Sequence, residues 1–144
     1  MKKYIFRILL AIGVFYASIV AAKHFWRGEI MATAKVCERW GDHPLDAAKF
    51  KNGSEPARAS MACSLLKNQN QFIGKSAMEI RQLLGDPDGF YFIDAFPAYL
   101  VSGGGADFQD SWQLVFMLGQ KRKVTEIFAH KNCCDRSAID KRAE

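Results

Sequence analysis

The chain has 144 residues, enough for one compact domain and too few for two of ordinary size. Its formal net charge is +5, but Lys2, Lys3 and Arg7 supply three of those units, so the chain after Ala22 carries 17 basic against 15 acidic residues, a net of +2. That balance excludes the concentrated basic face of a nucleic-acid binder; Lys121-Arg122-Lys123 is the basic cluster that remains, and its position suggests a solvated turn.

Residues 1–22 read as a signal peptide or a membrane anchor. Lys2, Lys3 and Arg7 precede an apolar run from Ile8 to Ala22, and Val20-Ala21-Ala22 ends it with the small residues a signal peptidase reads. An uncleaved anchor competes, because Tyr4 to Ala22 is 19 residues interrupted by Arg7 alone, near the lower bound for spanning the hydrocarbon core. Both readings place the rest of the chain outside the cytoplasm, in a periplasm-like compartment, since basic residues before the run favour staying inside. Membrane contact would then run through residues 4–22 if they are retained.

Residues 23–50 form a helical juxtamembrane segment in this reading. Trp26, Ile30, Ala34, Cys37 and Gly41 fall at helical spacing. Trp26 beside Lys23 and Arg27 suits either a membrane interface or ordinary core packing. Gly41-Asp42-His43-Pro44 breaks the pattern, and Leu45 to Phe50 has room for one or two further turns.

Residues 51–134 are expected to be an α+β domain, followed by a polar tail over 135–144. Ser54-Glu55-Pro56 resembles a helix start, with Met61, Ala62, Leu65 and Leu66 as the buried face to about Lys67 and Cys63 on its flank. Gly74-Lys75-Ser76 has the look of a phosphate-binding loop, but Gln69 stands where that motif needs glycine and no apolar strand precedes it. Its chemistry is capping. Ser76 and Glu79 form a Ser-x-x-Glu box, Ile80, Leu83 and Leu84 make an apolar stripe, and Gly85 followed by Asp86-Pro87 ends the helix. Beyond Pro87 the composition turns aromatic and β-branched. Strands are predicted at Phe90–Ile93, Ala98–Val101, Trp112–Leu118 and Val124–Ala129, with a hairpin over Gly119–Lys123. Two helices packed on one face of a three- to four-stranded antiparallel meander follow, with the opposite face wet.

Cys37, Cys63, Cys133 and Cys134 are an even set in an oxidising compartment, which implies disulfides. A vicinal Cys133–Cys134 bond would strain its peptide, so the expectation is one of the two pairings that tie this pair back to Cys37 and Cys63. His130 lies close before Cys133 and Cys134, and with Cys37 and His43 could complete a metal set. That makes a thiol- or metal-dependent envelope enzyme the alternative function, although no Cys-x-x-Cys pair is present. No Ser/His/Asp set is readable from His24, His43 and His130. Asp86, Asp88 and Asp94 lack calcium-loop spacing, and Gly103-Gly104-Gly105 is not followed by a helix start. The expectation is therefore no catalytic residue, no metal and no cofactor. In the connection over 102–112, Phe108 flanked by Asp107 and Asp110 has the composition of an interface anchor, or else folds over the edge of the core.

Residues 72–130 resemble the SmpA/OmlA (BamE-like) domain through Ile73, Gly74, Ser76, Glu79, Ile80, Leu84, Gly85 and Pro87, with Trp112–Phe116 and Val124–Ile127 as the later strands. The architecture is also similar to that of β-lactamase inhibitory proteins. The resemblance implies a non-enzymatic module that binds another envelope or secreted protein, as an assembly accessory or an inhibitor or immunity-type protein. Lipid anchoring does not carry over, because Ala22 is followed by Lys23 where the family's lipoproteins have cysteine.

Overall fold

The computed structural model describes residues 9–19, 21, 28–103 and 111–132. Residues 9–19 are helical, and Leu9, Leu10, Ile12, Val14, Phe15 and Tyr16 are all exposed on it. No helix among the described residues is long and apolar enough to cross a membrane.

The fold is α+β. Strand β1 (Ile30–Met31) leads into helices α1 (Thr33–Trp40), α2 (Ala47–Asn52) and α3 (Glu55–Lys67); a short 3-10 turn (Gln69–Gln71) precedes α4 (Ala77–Leu84). Strands β2 (Ala98–Ser102), β3 (Trp112–Leu118) and β4 (Val124–Lys131) then form an antiparallel meander, and β1 adds to the free side of β4, giving the sheet order β1-β4-β3-β2.

Local punctuation explains the helices. Ser76 accepts a hydrogen bond from Glu79 N while the Glu79 carboxylate accepts one from Ser76 N at 2.7 Å, so both partners of the capping box are engaged. Gly85 ends α4 at φ 88°, a conformation glycine adopts without a Cβ clash. The Asp46 side chain caps α2 through Lys49 N. Ser54 stands at the N-cap of α3 as its position predicts, but makes no side-chain cap bond.

Residues of the helices and of alternate strand positions meet in one core that includes Val36, Phe50, Leu65, Ile80, Leu84, Tyr99, Leu114 and Phe116. Phe50, Tyr99, Phe116 and Phe72 run through it as a chain of edge-to-face rings, at successive centroid distances of 5.6, 5.7 and 5.8 Å. The Tyr99 hydroxyl donates to Gly85 O at 2.9 Å, and burial pushes its pKa upward.

Four local expectations are corrected. The segment Phe90–Ile93 has strand composition but is a bend: its backbone bonds to a side chain rather than to a strand. Of the helix expected from residue 23 onward, residues 23–27 lie outside the described residues, while Gly28 and Glu29 are not helical, Ile30 pairs with His130 in β1, and α1 runs from Thr33. Leu83, expected in the core, is 40% exposed, because Ile80 and Leu84 alone point inward. The sheet face away from the helices is not wet but carries a second cluster of Tyr91, Ala98, Val115 and Phe128.

Candidate functional site

The expected partner-binding residues Asp107, Phe108 and Asp110 lie outside the described residues, as do Cys133 and Cys134. Cys37 and Cys63 are bonded to each other. This overturns both pairings that joined them to the C-terminal cysteines. The reason is packing: α1 and α3 lie side by side, the two Cα atoms are 4.8 Å apart, and Cys63 sits inside the layer, fully buried, rather than on its flank.

His130 sits in β4 and is buried. Its ring lies 4.8 Å from that of Tyr91 and 6.4 Å from that of Phe128, and its Nδ1 is 3.4 Å from Gln113 Nε2. It is thus a component of the second cluster. No group of three or more potential metal ligands occurs among the described residues.

The chemistry of this face centres on Gln113, which β3 aims away from the helices and which is fully buried. Its Oε1 accepts from Phe90 N at 3.0 Å, and its Nε2 donates to Phe90 O at 2.7 Å and to Asn132 Oδ1 at 2.6 Å. One carboxamide therefore supplies the donor and acceptor that a neighbouring strand would offer. Asn132 continues the network, donating from its side chain to Ser111 Oγ and from its backbone to Ser111 O, each at 2.8 Å. Gly89 lets the loop come this close: a Cβ there would stand 2.4 Å from Gln113 Oε1 and 3.1 Å from the Ala98 backbone.

Beyond the clamp, Tyr91 is wedged among Phe128, His130 and Phe96, and the chain then reverses sharply. Ile93 N donates to Tyr91 O at 2.6 Å across Phe92, whose φ is 55°. This is a γ-turn of the positive-φ kind, a rare and strained conformation for a bulky aromatic residue. Phe92 and Ile93 consequently face solvent, at 55% and 53% exposure. Arg81 reaches from α4 to Asp94 O, while Arg58, nearly buried on α3, pairs with Asp88 at 2.5 Å. Asp88 also accepts from Leu100 N, and Gly89 N donates to Ala98 O, so the outer edge of β2 is covered at these positions.

A separate polar groove of about 400 Å³ is lined by Leu45, Ser64, Lys67, Asn68, Asn70 and Gln71. Its strongest groups are already engaged: Lys67 pairs with Asp42, and Ser64 Oγ accepts from Leu45 N.

No protein-family profile, no curated protein and no solved structure matches the chain. Sequence reasoning passed over Gln113 and Tyr91. A signal for Gln113 existed, because an amide placed between Trp112 and Leu114 in a strand rich in apolar residues requires a buried partner.

Proposed function

We propose that the chain is an extracytoplasmic protein-binding module with no catalytic role, whose partner is another envelope or secreted protein. The observation that carries the reading is the Cys37–Cys63 disulfide. Such a bond forms and persists in oxidising compartments and is rare in the cytosol. It agrees with the basic leader and apolar run of residues 1–22, read as a signal peptide or inner-membrane anchor. The binding half rests on the SmpA/OmlA-like pattern from Ile73 to Pro87, with β3 and β4 as the later strands of that resemblance. Function as an assembly accessory or as an inhibitor or immunity-type protein fits this reading equally well.

The test uses the full chain as bait in extract from its own envelope, with the retained protein identified by mass spectrometry. Retention of a defined envelope or secreted protein, weakened by Phe108→Ala at nearly unchanged melting temperature, supports the module and its 102–112 loop. A bait that retains no protein overturns the reading, and a large fall in melting temperature assigns Phe108 to the core instead.

A further inference from the structure

Among the described residues, a run of exposed cations, Lys121, Arg122 and Lys123, lies at the β3–β4 hairpin. Gly119 N donates to Lys123 O and Arg122 N donates to Gly119 O, a tight turn followed by Arg122 at φ 54°. Hairpins of this form place a left-handed residue at that position, where glycine is unstrained. An arginine there is strained, and it stands exposed directly after the turn's central residues Gln120 and Lys121.

The fold then brings a second cationic segment alongside. Gly74 N donates to Val124 O and Val124 N to Lys75 O, both at 2.8 Å, and Ser76 bridges to Lys123. This pairing sets Lys75 beside the hairpin that carries Lys121, Arg122 and Lys123, and the acid Glu79 pairs with Lys123 at 3.5 Å. Glu126 is the next acid along β4, but it is paired with Met117 and belongs to the opposite sheet face. The segment that meets the hairpin is flanked by two exposed apolar side chains: Ile73, 40% exposed, before Gly74, and Met78 in the first turn of α4, 69% exposed. Solvated basic turns need no such neighbours. Exposed apolar side chains beside a cluster of mostly basic residues are the composition of a protein interface that steers its partner electrostatically.

Anionic lipid and an acidic protein would both suit this charge, and topology decides between them. β1 pairs Ile30 with His130 and Met31 with Ala129, so the chain arrives from the N-terminal segment at the Lys131 end of β4. The hairpin is at the Val124 end, about 25 Å away at roughly 3.3 Å per residue. If the N-terminal segment is retained in a bilayer, the described chain starts toward it from the Lys131 end of the sheet, opposite the hairpin cations.

We infer that the hairpin end, formed by Ile73, Lys75, Met78, Lys121 and Arg122, is a docking surface for an acidic protein. The inference rests on the protein-binding reading above and names the chemistry of that partner.

The experiment places the photo-crosslinking residue p-benzoylphenylalanine at Met78 of the full chain, in its own cells, and in parallel at Phe108. The protein crosslinked from position 78 is identified, purified and titrated against the wild-type chain. The expected partner is acidic, and its affinity falls by about tenfold or more as salt rises from about 50 to about 300 mM. Lys121→Glu with Arg122→Glu lowers affinity at least as far, while Arg122→Gly weakens binding and raises the melting temperature by relieving the turn. Affinity indifferent to salt and to charge reversal overturns the inference. So does binding of the full chain to phosphatidylglycerol vesicles that charge reversal abolishes, which would identify lipid as the ligand. A protein crosslinked from position 108 but not from position 78 overturns the inference and leaves the binding reading standing; silence at both positions removes both.

Discussion

On the face turned toward the helices, Tyr99, Leu114 and Phe116 are sealed by side chains from α2, α3 and α4, and the contacts are almost wholly apolar. On the other face, Val115 and Phe128 are covered by a loop with no regular structure, held to the sheet by the carboxamide of Gln113. Stability on the first face is spread over many large side chains, each contributing roughly 1.5–3 kcal/mol when buried. On the second it is concentrated in a few hydrogen bonds with directional demands, whose loss leaves the backbone of Phe90 unsatisfied. The two faces should therefore fail differently: the first globally, the second by local release of residues 89–96.

The sharpest test of this contrast is Phe116→Ala. It removes the ring that touches both Phe72 and Tyr99, and should cost about 3–5 kcal/mol in denaturant unfolding. A loss below about 1 kcal/mol would mean that the helical face is not the main core. Next in size is the covalent link within the helical layer. Cys37 and Cys63 are 26 residues apart, so the Cys37→Ser, Cys63→Ser pair should lose about 2–4 kcal/mol, with matching loss in the wild type under reductant. Gln113→Leu should cost about 1–3 kcal/mol and should speed amide exchange at Phe90 and its neighbours before the protein unfolds as a whole. Equal protection of residues 89–96 in this variant and the wild type would erase the distinction between the faces.

How far these regions could be read in the sequence follows the same division. The first face was largely legible. The Ser76, Glu79 and Gly85 signals of α4 are local, and Trp112, Leu114 and Phe116 alternate with Gln113 and Val115 at strand period. The second face was not. Phe90–Ile93 has the composition of a strand, but what decides its conformation is an amide 23 residues downstream. Strand β1 has two residues, and its partner lies about a hundred positions away, beyond the reach of any window of periodicity. The disulfide escaped for a related reason: strain in a vicinal bond can be weighed from spacing, whereas the approach of α1 to α3 is a property of the packed helical layer. Of the residues proposed for binding, the hairpin cations were visible as a cluster. Their convergence with Ile73, Lys75 and Met78 depends on the pairing of Gly74 with Val124.

Two smaller effects refine the account of α4. The Glu79 pKa is lowered from 4.5 to about 2, chiefly by the hydrogen bond from Ser76 N and then by the Ser76 hydroxyl. A carboxylate depressed on folding contributes stability above its unfolded pKa and loses it as pH falls through the folded value. The melting-temperature gap between wild type and Glu79→Gln should therefore be full at pH 6 and close between about 4.5 and about 2. A gap that does not change over this window would show that the cap does not depend on charge. Smallest of all, Leu83→Ala should cost no more than about 1 kcal/mol, because the side chain is 40% exposed and alanine is the better helix former. A larger loss would return Leu83 to the core.

The disulfide also has a mechanical meaning. Lys131 N donates to Glu29 O beside the Ile30–His130 pair, so the N-terminal segment leaves the domain over the last residues of β4. Tension on that segment opens the β1–β4 contact from its end, breaking its bonds one after another rather than shearing them together. Such peeling needs little force, but it can advance no further than Cys37. There the covalent link to Cys63 passes the load to the middle of α3, inside the packed layer, and the remaining domain resists as a unit. Under load the chain would yield β1 and the first turn of α1, with Val36 the one fully buried core side chain given up, before the disulfide takes the strain.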